Sequence, residues 1–334
     1  MQVTSLTIKP VFLVPTTQLP LMSVPPQLDS ITYEAFWASC QCFLATHLHL
    51  KVLTLDFSQT HFIDSCGIGT LRQVVRAAHA NNLKVVAWSV TPRITQILKT
   101  TGLDGPISID DRTRALTNPE SYPSISESTQ LLHPSVRSLS KRGLDILGAL
   151  VGLLITTLLF LPIAIAIQLD NPGPVLFSQM RRGLHGRPIR IWKFRSMVTD
   201  AEVRKCEIVN QIEGAFFKND RDPRITRVGH FLRRTSLDEL PQFWCVLTGS
   251  MSLIGTRPPT EDEVTQYAIS DWQRLNVKPG LAGEWQVSGR SSIKTFREVV
   301  ALDLAYQSKW SLAYDLKLIV KTIAIIFSRR SGAC

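Results

Sequence analysis

The sequence predicts an α/β protein with two folded parts and a membrane-associated segment. Strand-like and helix-like stretches alternate through the first third of the chain, a Ser/Thr/Pro-rich stretch follows, and 24 residues without a charge then separate Asp145 from Asp170. Alternation of this kind is typical of a small α/β domain. We expect that domain over residues 1–115, a linker over 116–138, a membrane helix hairpin over 139–170 and an α+β domain over 171–334.

The first domain consists of helical stretches separated by strands. Apolar residues recur at helical spacing in ITYEAFWASCQCFLATHL, GTLRQVVRAAHANN and TPRITQILKTTGL. The runs KVLTLDF and LKVVAWSV are rich in β-branched and aromatic residues, and they separate these stretches. Residues 1–30 are rich in proline and carry β-prone pieces such as VFLV. The pattern predicts three helices and two buried strands, with further short strands near the start.

The linker LTNPESYPSISESTQLLHPSVRS combines Ser, Thr and Pro and shows no apolar periodicity. Such a composition offers no face that could be buried against a core. It therefore predicts a connecting segment.

The apolar segment ILGALVGLLITTLLFLPIAIAIQL is long enough to cross a bilayer, which takes roughly 20 residues. Pro162 interrupts it and removes a backbone donor that lipid cannot replace. Cations flank both ends, with Lys141 and Arg142 before it and Arg181 and Arg182 after it, and such flanks favour the cytoplasmic side. We expect a hairpin, broken at Pro162, that enters and leaves the same leaflet. A plain crossing and a buried helix of a soluble core are the alternatives.

Charge is unevenly distributed along the chain. Residues 1–139 carry 10 lysines and arginines against 9 acids, whereas the remainder carries 27 against 18. A basic second half favours a phosphate-rich partner. Its cations are spread over loops, and the sequence has no recognisable nucleic-acid-binding module, which argues against nucleic acid as the partner.

The 6 cysteines form no Cys-x-x-Cys pair, so we expect reduced thiols and no zinc site in a cytoplasmic setting. The N-terminus shows no signal-peptide pattern.

The segment RRTSLDELPQFWCVL sets two adjacent acids, Asp238 and Glu239, between arginines and an apolar run. A structural explanation is a capping box, in which Ser236 and Glu239 close the start of a helix whose dipole favours acids. A catalytic explanation is a carboxylate pair that acts on a phosphate drawn in by the nearby cations. The two explanations can hold together.

Cations recur beside Gly, Pro or hydroxyl residues in several further blocks, as in loops that bind phosphate. A single such arginine is usually an ordinary surface residue, and the repeated pattern is what favours a phosphate site. The blocks are PGPVLFSQ, KFRSM, DPRITRVG, LRRTSLDELPQ, SLIGTRP and KPGLAGEWQVSGR.

In this order the blocks resemble the bacterial sugar transferase family, the monotopic polyprenyl-phosphate phosphoglycosyl transferases, from about residue 140 to 330. The resemblance implies transfer of a sugar 1-phosphate from a nucleotide-diphosphate sugar, a UDP-sugar, to polyprenyl (undecaprenyl) phosphate. This would be the first membrane step of exopolysaccharide, capsule or glycoconjugate synthesis. It further implies a monotopic enzyme on the cytoplasmic face of the inner membrane, in contact with lipid through amphipathic surface helices.

The resemblance also implies roles for single residues. Asp238 would attack the β-phosphate and form an aspartyl phosphosugar, and Glu239 would assist removal of a proton from the lipid phosphate. A Mg²⁺ ion at Asp238 would offset the charge of the diphosphate. The cations that would hold phosphates are Arg233, Arg257, Lys193 and Arg195.

The first domain resembles a STAS domain, the fold of anti-sigma factor antagonists, over about residues 20–115. That family carries a serine, in a loop before a helix, that a partner kinase can phosphorylate, and DSCG stands there in this chain. Ser65 is therefore a candidate regulatory phosphosite for a kinase or another protein partner, with simple helix capping as the alternative. For the whole chain, the alternative to an enzyme is an inert, membrane-tethered scaffold that recruits a partner through the STAS-like domain.

Overall fold

The computed structural model describes residues 21–47, 50–110, 132–204, 208, 219, 222–288 and 295–327. The chain divides into two compact units, Met1–Ser128 and Thr129–Cys334. The VFLV piece and most of the predicted linker, residues 116–131, lie outside the described residues. The last residues of that predicted linker belong to the second unit, in which a ring nitrogen of His133 hydrogen-bonds the Gln307 carbonyl oxygen at 3.0 Å.

The first unit is built on a parallel sheet with the spatial order β1-β3-β5-β6. A separate parallel pair joins β2 to β4. Parallel neighbours need crossover connections, which the helices supply. The strands are β1 (Leu21–Ser23), β2 (Gln27–Leu28), β3 (Val52–Asp56), β4 (Phe62–Ile63), β5 (Lys84–Trp88) and β6 (Ile107–Ile109), and the helices are α1 (Tyr33–Thr46), α2 (Ser65–Ala80) and α3 (Pro92–Thr101).

Local signals in the sequence account for the ends of these helices. The Asp64 carboxylate caps α2 by accepting a hydrogen bond from the Gly67 amide at 2.9 Å. Thr91 caps α3, which ends at Gly102 in the left-handed region with a φ of 73°. Fully buried leucines of β3, including Leu53, pack in the core of the unit. The predicted alternation of helices and strands is confirmed for this domain.

The second unit is mainly helical, with two small β structures. Strands β7 (Leu176–Arg182) and β8 (Pro188–Phe194) form an antiparallel hairpin, and β9 (Ser252–Ile254) pairs in parallel with β10 (Gly280–Ala282). This is the α+β arrangement predicted for residues 171–334. The helices are α4 (Pro134–Arg137), α5 (Leu139–Asp170), α6 (Arg227–Arg234), α7 (Phe243–Thr248), α8 (Glu261–Thr265), α9 (Glu284–Val287), α10 (Phe296–Lys309) and α11 (Leu312–Phe327), and the 3₁₀ turns are Leu184–Gly186, Leu237–Gln242 and Ile269–Asn276.

Helix α5 differs from the predicted hairpin, because it runs for 32 residues with Pro162 inside it. Proline removes only one backbone donor, and packing against the unit continues on both sides of it. The buried positions lie at helical spacing along one face. These are Lys141, Asp145, Ala149, Gly152, Thr156, Ile163 and Ile167.

The other face of α5 is apolar and exposed. Within the described part of the chain, α5 is the one helix long and apolar enough to cross a membrane. A soluble core helix would hide this face, so its exposure favours contact with lipid. The exposed residues include Leu147, Leu150, Val151, Leu154, Leu158, Leu161, Ile165 and Leu169.

Both ends of α5 are fixed to the same folded unit. At its start, the buried ammonium of Lys141 lies 2.6 Å from the Asp315 carboxylate of α11, and Arg142 donates to two carbonyl oxygens at the end of α7. At its end, the Asp170 carboxylate accepts a hydrogen bond from the Val228 amide at 2.9 Å. Lys141 and Arg142, the cations that precede the apolar segment, therefore anchor the start of α5 to the folded unit.

Helix α11, near the C-terminus, exposes an apolar stripe of its own. The stripe consists of Leu316, Val320, Ile323 and Ile326, at spacings of three and four residues. Lys317 and Lys321 are exposed beside it. An apolar stripe bordered by lysines suits a helix that lies on a membrane surface.

Candidate active site

The acid pair lies on the 3₁₀ turn Leu237–Gln242, between α6 and α7. Ser236 precedes the turn in the left-handed region, with a φ of 56°, and its side chain caps nothing. The capping box expected from Ser236 and Glu239 is therefore wrong, because the Glu239 carboxylate binds Lys193 instead. A positive φ at a serine costs on the order of 1 kcal/mol, and such conformations cluster at functional sites.

Lys193 on β8 reaches both acids. Its Nζ lies 2.8 Å from Glu239 Oε1 and 4.0 Å from Asp238 Oδ2. The side chains of Lys193 and Glu239 are 28% and 22% exposed, whereas that of Asp238 is 8% exposed. One ammonium between two carboxylates lowers their mutual repulsion. A ligand arriving from solvent therefore meets the ion pair first and Asp238 behind it.

Arg233 on α6 is held beside the KFRSM segment. Its Nε donates to Ser196 Oγ at 2.9 Å. Its charge also acts on Asp222, which forms a buried ion pair with Arg224 at 2.7 Å. Burial alone would raise the pKa of Asp222, but the hydrogen bonds and charge of Arg224, with Arg233, hold that pKa below its ordinary value. Arg233 thus links α6 to the segment that follows β8, the strand that carries Lys193.

Arg257 follows β9 and forms a bidentate ion pair with Glu263. Its Nη1 donates to Oε2 at 2.8 Å, and its Nη2 donates to Oε1 at 3.1 Å. Burial alone would raise the pKa of Glu263, but the charge and hydrogen bonds of Arg257, together with Arg181, hold that pKa below its ordinary value. The Arg257 side chain is 19% exposed. A guanidinium preorganised in this way presents its remaining edge in a fixed direction.

Arg181 on β7 is a further cation of the site. Its Nη1 donates to the Pro258 carbonyl at 3.0 Å, next to Arg257. Burial and the neighbouring charge of Arg257 lower the pKa of Arg181 to about 10, although Glu263 and Glu239 act in the opposite direction. The Arg257–Glu263 pair and Glu239 of the acid pair therefore lie within electrostatic reach of one guanidinium.

Arg195 binds the loop that follows α5. Its Nη1 donates to the Asn171 side chain at 2.7 Å, and its Nη2 donates to the Asn171 carbonyl. The residue is buried. Lys193 and Arg195 therefore differ in their contacts, although they stand two residues apart. Phosphate binding by Arg195 stays a prediction, and the geometry assigns this residue to holding the loop.

The acid pair suits a metal that arrives with its substrate. Mg²⁺ prefers oxygen ligands and is usually bound by one or two carboxylates together with substrate phosphates. Within the described residues, no group of three or more His, Cys, Asp or Glu side chains could hold a metal ion. Asp238 and Glu239 nevertheless supply two adjacent carboxylates. This donor set fits Mg²⁺ shared with a diphosphate, and a resident metal would need more ligands.

Apolar residues adjacent in the chain to the charged residues of the site pack against α5. Phe194 lies between Lys193 and Arg195 in the chain, Leu232 precedes Arg233, and Leu240 follows Glu239. These three apolar residues form one buried cluster with Ile163 and Ile167 of α5. The membrane-type helix therefore lies directly beneath the strand and the turn that carry the site.

A family model described as "Bacterial sugar transferase" matches residues 136–329. The chain belongs to the bacterial sugar transferase family. A second model, described as "STAS domain", matches residues 17–115. Both resemblances inferred from the sequence are confirmed.

Several curated proteins are similar to the sugar transferase part. The "Galactosyl transferase CpsE" of Streptococcus agalactiae is 48% identical over 190 residues, which are 56% of this chain and 42% of that protein. The "UDP-glucose:undecaprenyl-phosphate glucose-1-phosphate transferase" of Escherichia coli is 41% identical over 195 residues, 56% of this chain and 40% of that protein. The "Exopolysaccharide production protein ExoY" of Rhizobium meliloti is 36% identical over 226 residues, 66% of this chain and 98% of that protein. This chain thus spans about two fifths of the first two relatives and nearly all of the third.

The structure adds residues to the candidate site that the sequence alone did not assign to it. Arg181 and Glu263 stand beside Arg257, and only their burial and contacts reveal them. The Gln242 Nε2 and Thr256 Oγ1 atoms are buried without a hydrogen-bond partner within the described residues. Buried polar atoms of this kind are uncommon and often belong to functional sites. Their proximity in sequence to Glu239 and Arg257 was the one available signal.

Ser65 belongs to the STAS unit. It is the first residue of α2 and is fully buried. The cap of α2 is Asp64, so the capping role expected for Ser65 is wrong. Phosphorylation of Ser65 stays a prediction, and it requires the start of α2 to open to a kinase.

Proposed function

We propose that the chain transfers a sugar 1-phosphate from a UDP-sugar to undecaprenyl phosphate. The observation that carries this proposal is the position of Asp238 and Glu239, which share the ammonium of Lys193 on a turn packed against α5. The family match and the printed functions of the relatives support it. A nucleophile for a lipid-bound acceptor has to stand close to the bilayer, and the packing of this turn against α5, whose other face is apolar and exposed, supports such a position.

In the first step, a carboxylate oxygen of Asp238 attacks the β-phosphorus of the donor. A bond forms between that oxygen and phosphorus, and the bond to the oxygen bridging the two phosphates breaks. The electron pair stays on that oxygen, so UMP leaves and the sugar phosphate remains on Asp238 as an acyl phosphate. Splitting one displacement into two lets each substrate react in turn.

In the second step, an oxygen of undecaprenyl phosphate attacks the same phosphorus. The bond between Asp238 and phosphorus breaks, which restores the carboxylate and yields the lipid diphosphate sugar. Glu239 accepts the proton that the lipid phosphate loses. Its position at the more exposed side of the acid pair suits contact with the incoming acceptor.

Cations balance the charge of the diphosphate in both steps. Lys193, Arg233 and Arg257 are held in place by Glu239, Ser196 and Glu263, so they need little reorganisation when phosphate binds. Mg²⁺ held by Asp238 and the diphosphate oxygens would supply further positive charge there.

We further propose that the protein is monotopic on the cytoplasmic face of the inner membrane. Two observations support this: both ends of α5 bind the same folded unit, and the opposite face of α5 is apolar and exposed. A helix that crossed the bilayer would carry its ends to opposite sides. Because α5 cannot do so while Lys141 and Asp170 keep their contacts, its exposed face would lie in one leaflet.

The test is UMP release by the full chain in lipid nanodiscs. A panel of UDP-sugars is offered with and without undecaprenyl phosphate, and with EDTA in parallel. We expect multiple turnovers with at least one donor, only when the lipid phosphate is present, and a sharp loss with EDTA. Asp238→Asn should abolish turnover. Absence of turnover with every donor would contradict the proposal and favour an inert scaffold.

A further inference from the structure

Thr156 connects the membrane-type helix to the turn that carries the acid pair. It lies on the buried stripe of α5, and its side chain is enclosed. Its Oγ1 is 2.6 Å from the Gly152 carbonyl oxygen and 3.2 Å from the Leu240 carbonyl oxygen. The first contact is internal to α5, whereas the second reaches the residue that follows Glu239.

The helix and the turn approach each other very closely at this point. A Cβ added to Gly152 would lie 2.3 Å from the ring of Phe243, which follows the turn. Leu240 and Ile163 close the surrounding space in one apolar cluster. In such surroundings a hydrogen bond is stronger than in water, and it fixes its partners more firmly.

Thr157 shows that the contact is specific to one position. It is the next residue of α5, and its Oγ1 bonds the Leu153 carbonyl oxygen at 2.9 Å within the helix. It is exposed on the apolar outer face. The two threonines share residue type, helix and intrahelical bond, and they differ in the link to the turn.

We propose that Thr156 is a positioning residue for the acid pair. Its single hydroxyl proton is shared between the Gly152 carbonyl oxygen at 2.6 Å and the Leu240 carbonyl oxygen at 3.2 Å, and this three-centre hydrogen bond ties the turn carrying Asp238 and Glu239 to α5. The orientation of the nucleophile thus depends on the seating of the helix that contacts the lipid. This inference rests on the proposed sugar-phosphate transfer for its kinetic consequence, but its structural consequence is independent of activity.

The experiment compares Thr156→Val, Thr156→Ser and Thr157→Val in the full chain in nanodiscs. Valine keeps the shape of the threonine side chain and replaces its hydroxyl with a methyl group. We expect Thr156→Val to lower kcat about tenfold with the donor KM within about twofold of wild type, because a misplaced nucleophile affects the chemical step more than binding. Thr156→Ser should keep most of the wild-type kcat, and Thr157→Val should have the same kcat as wild type.

Amide hydrogen exchange provides the readout that needs no turnover. In Thr156→Val, exchange over residues 237–244 should be faster than in wild type, whereas Thr157→Val should leave it unchanged. Unchanged exchange in Thr156→Val, or equal effects of the two valine variants, would overturn the inference. A kcat loss that Thr156→Ser does not recover, accompanied by a fall in Tm, would overturn it in favour of a purely structural role. Wild-type inactivity with every donor would contradict the proposed function, whereas the exchange result would still decide this inference.

Discussion

The ammonium of Lys193 lies 2.8 Å from the carboxylate of Glu239, and this ion pair joins β8 to the turn between α6 and α7. Lys193 also lies within 4.0 Å of Asp238. A cation at this place both restrains the acids and meets an incoming phosphate.

Removal of the Lys193 charge should therefore impair catalysis. We expect Lys193→Met to lower kcat/KM about 10²-fold, because one preorganised charge near a reacting phosphate has that order of effect. Lys193→Arg keeps the charge and should lose less. Lys309→Met, at an exposed site of α10, is the control for loss of one lysine. Steady-state UMP release measures all three, and a Lys193→Met enzyme as active as the control would refute this role.

The Arg257–Glu263 pair should make stability depend on pH. The folded-state pKa of Glu263 lies below its ordinary value of 4.5, so the pair's stabilisation is present above pH 4.5 and is lost as pH falls through the lower, folded-state pKa. Glu263→Gln should cost roughly 2–4 kcal/mol at neutral pH. The difference in unfolding free energy between wild type and Glu263→Gln should narrow as the pH falls below 4.5. Thermal unfolding at neutral pH and in acid measures this difference, and a difference that does not change with pH would contradict the assignment.

The buried pair Lys141–Asp315 should be needed to hold α5 against α11. Both side chains are almost inaccessible, at 5% and 1% exposure. Asp315→Asn leaves the Lys141 ammonium buried without its counter-charge, so we expect a loss of about 3–5 kcal/mol. Asp262→Asn, on the exposed surface of α8, is the matched control. The measurement is Tm in detergent, and equal Tm values for the two variants would contradict the account.

The exposed stripe of α11 should contribute to membrane binding. Val320→Asp places a charge in the middle of the stripe, where the side chain is 66% exposed. We expect a several-fold weaker partition into vesicles of anionic lipid, because a buried charge in the interface is costly. Ser308→Asp adds the same charge at an exposed position of α10 and should have little effect. Vesicle co-sedimentation compares them, and equal partition would show that α11 does not face lipid.

The sequence predicted those features that depend on local pattern. The helices of the STAS unit follow from apolar periodicity and from signals such as Thr91 and Gly102. The acid pair and its cations follow from motif order. The places of Arg181, Glu263 and Thr156 in or beside the site could not be predicted, because they arise from contacts between segments that are distant in the chain. A buried threonine and an exposed one look alike in the sequence.

Tertiary contacts explain two of the local predictions that failed. The capping box at Ser236 did not form, because a long-range ion pair to Lys193 competes for the Glu239 side chain. The hairpin break at Pro162 did not appear, because packing on both sides of that residue keeps α5 continuous. In both cases tertiary contacts overrode a local signal.

The most direct test of the central claim is detection of the acyl phosphate on Asp238. The full chain in nanodiscs is mixed with an accepted UDP-sugar without undecaprenyl phosphate, quenched in acid and analysed by intact mass and peptide mapping. The account predicts one sugar phosphate per chain, on the peptide containing Asp238, lost when undecaprenyl phosphate is added and absent from Asp238→Asn. Formation of lipid-linked product at normal rate, with no adduct at any time and with an active Asp238→Asn variant, would contradict it.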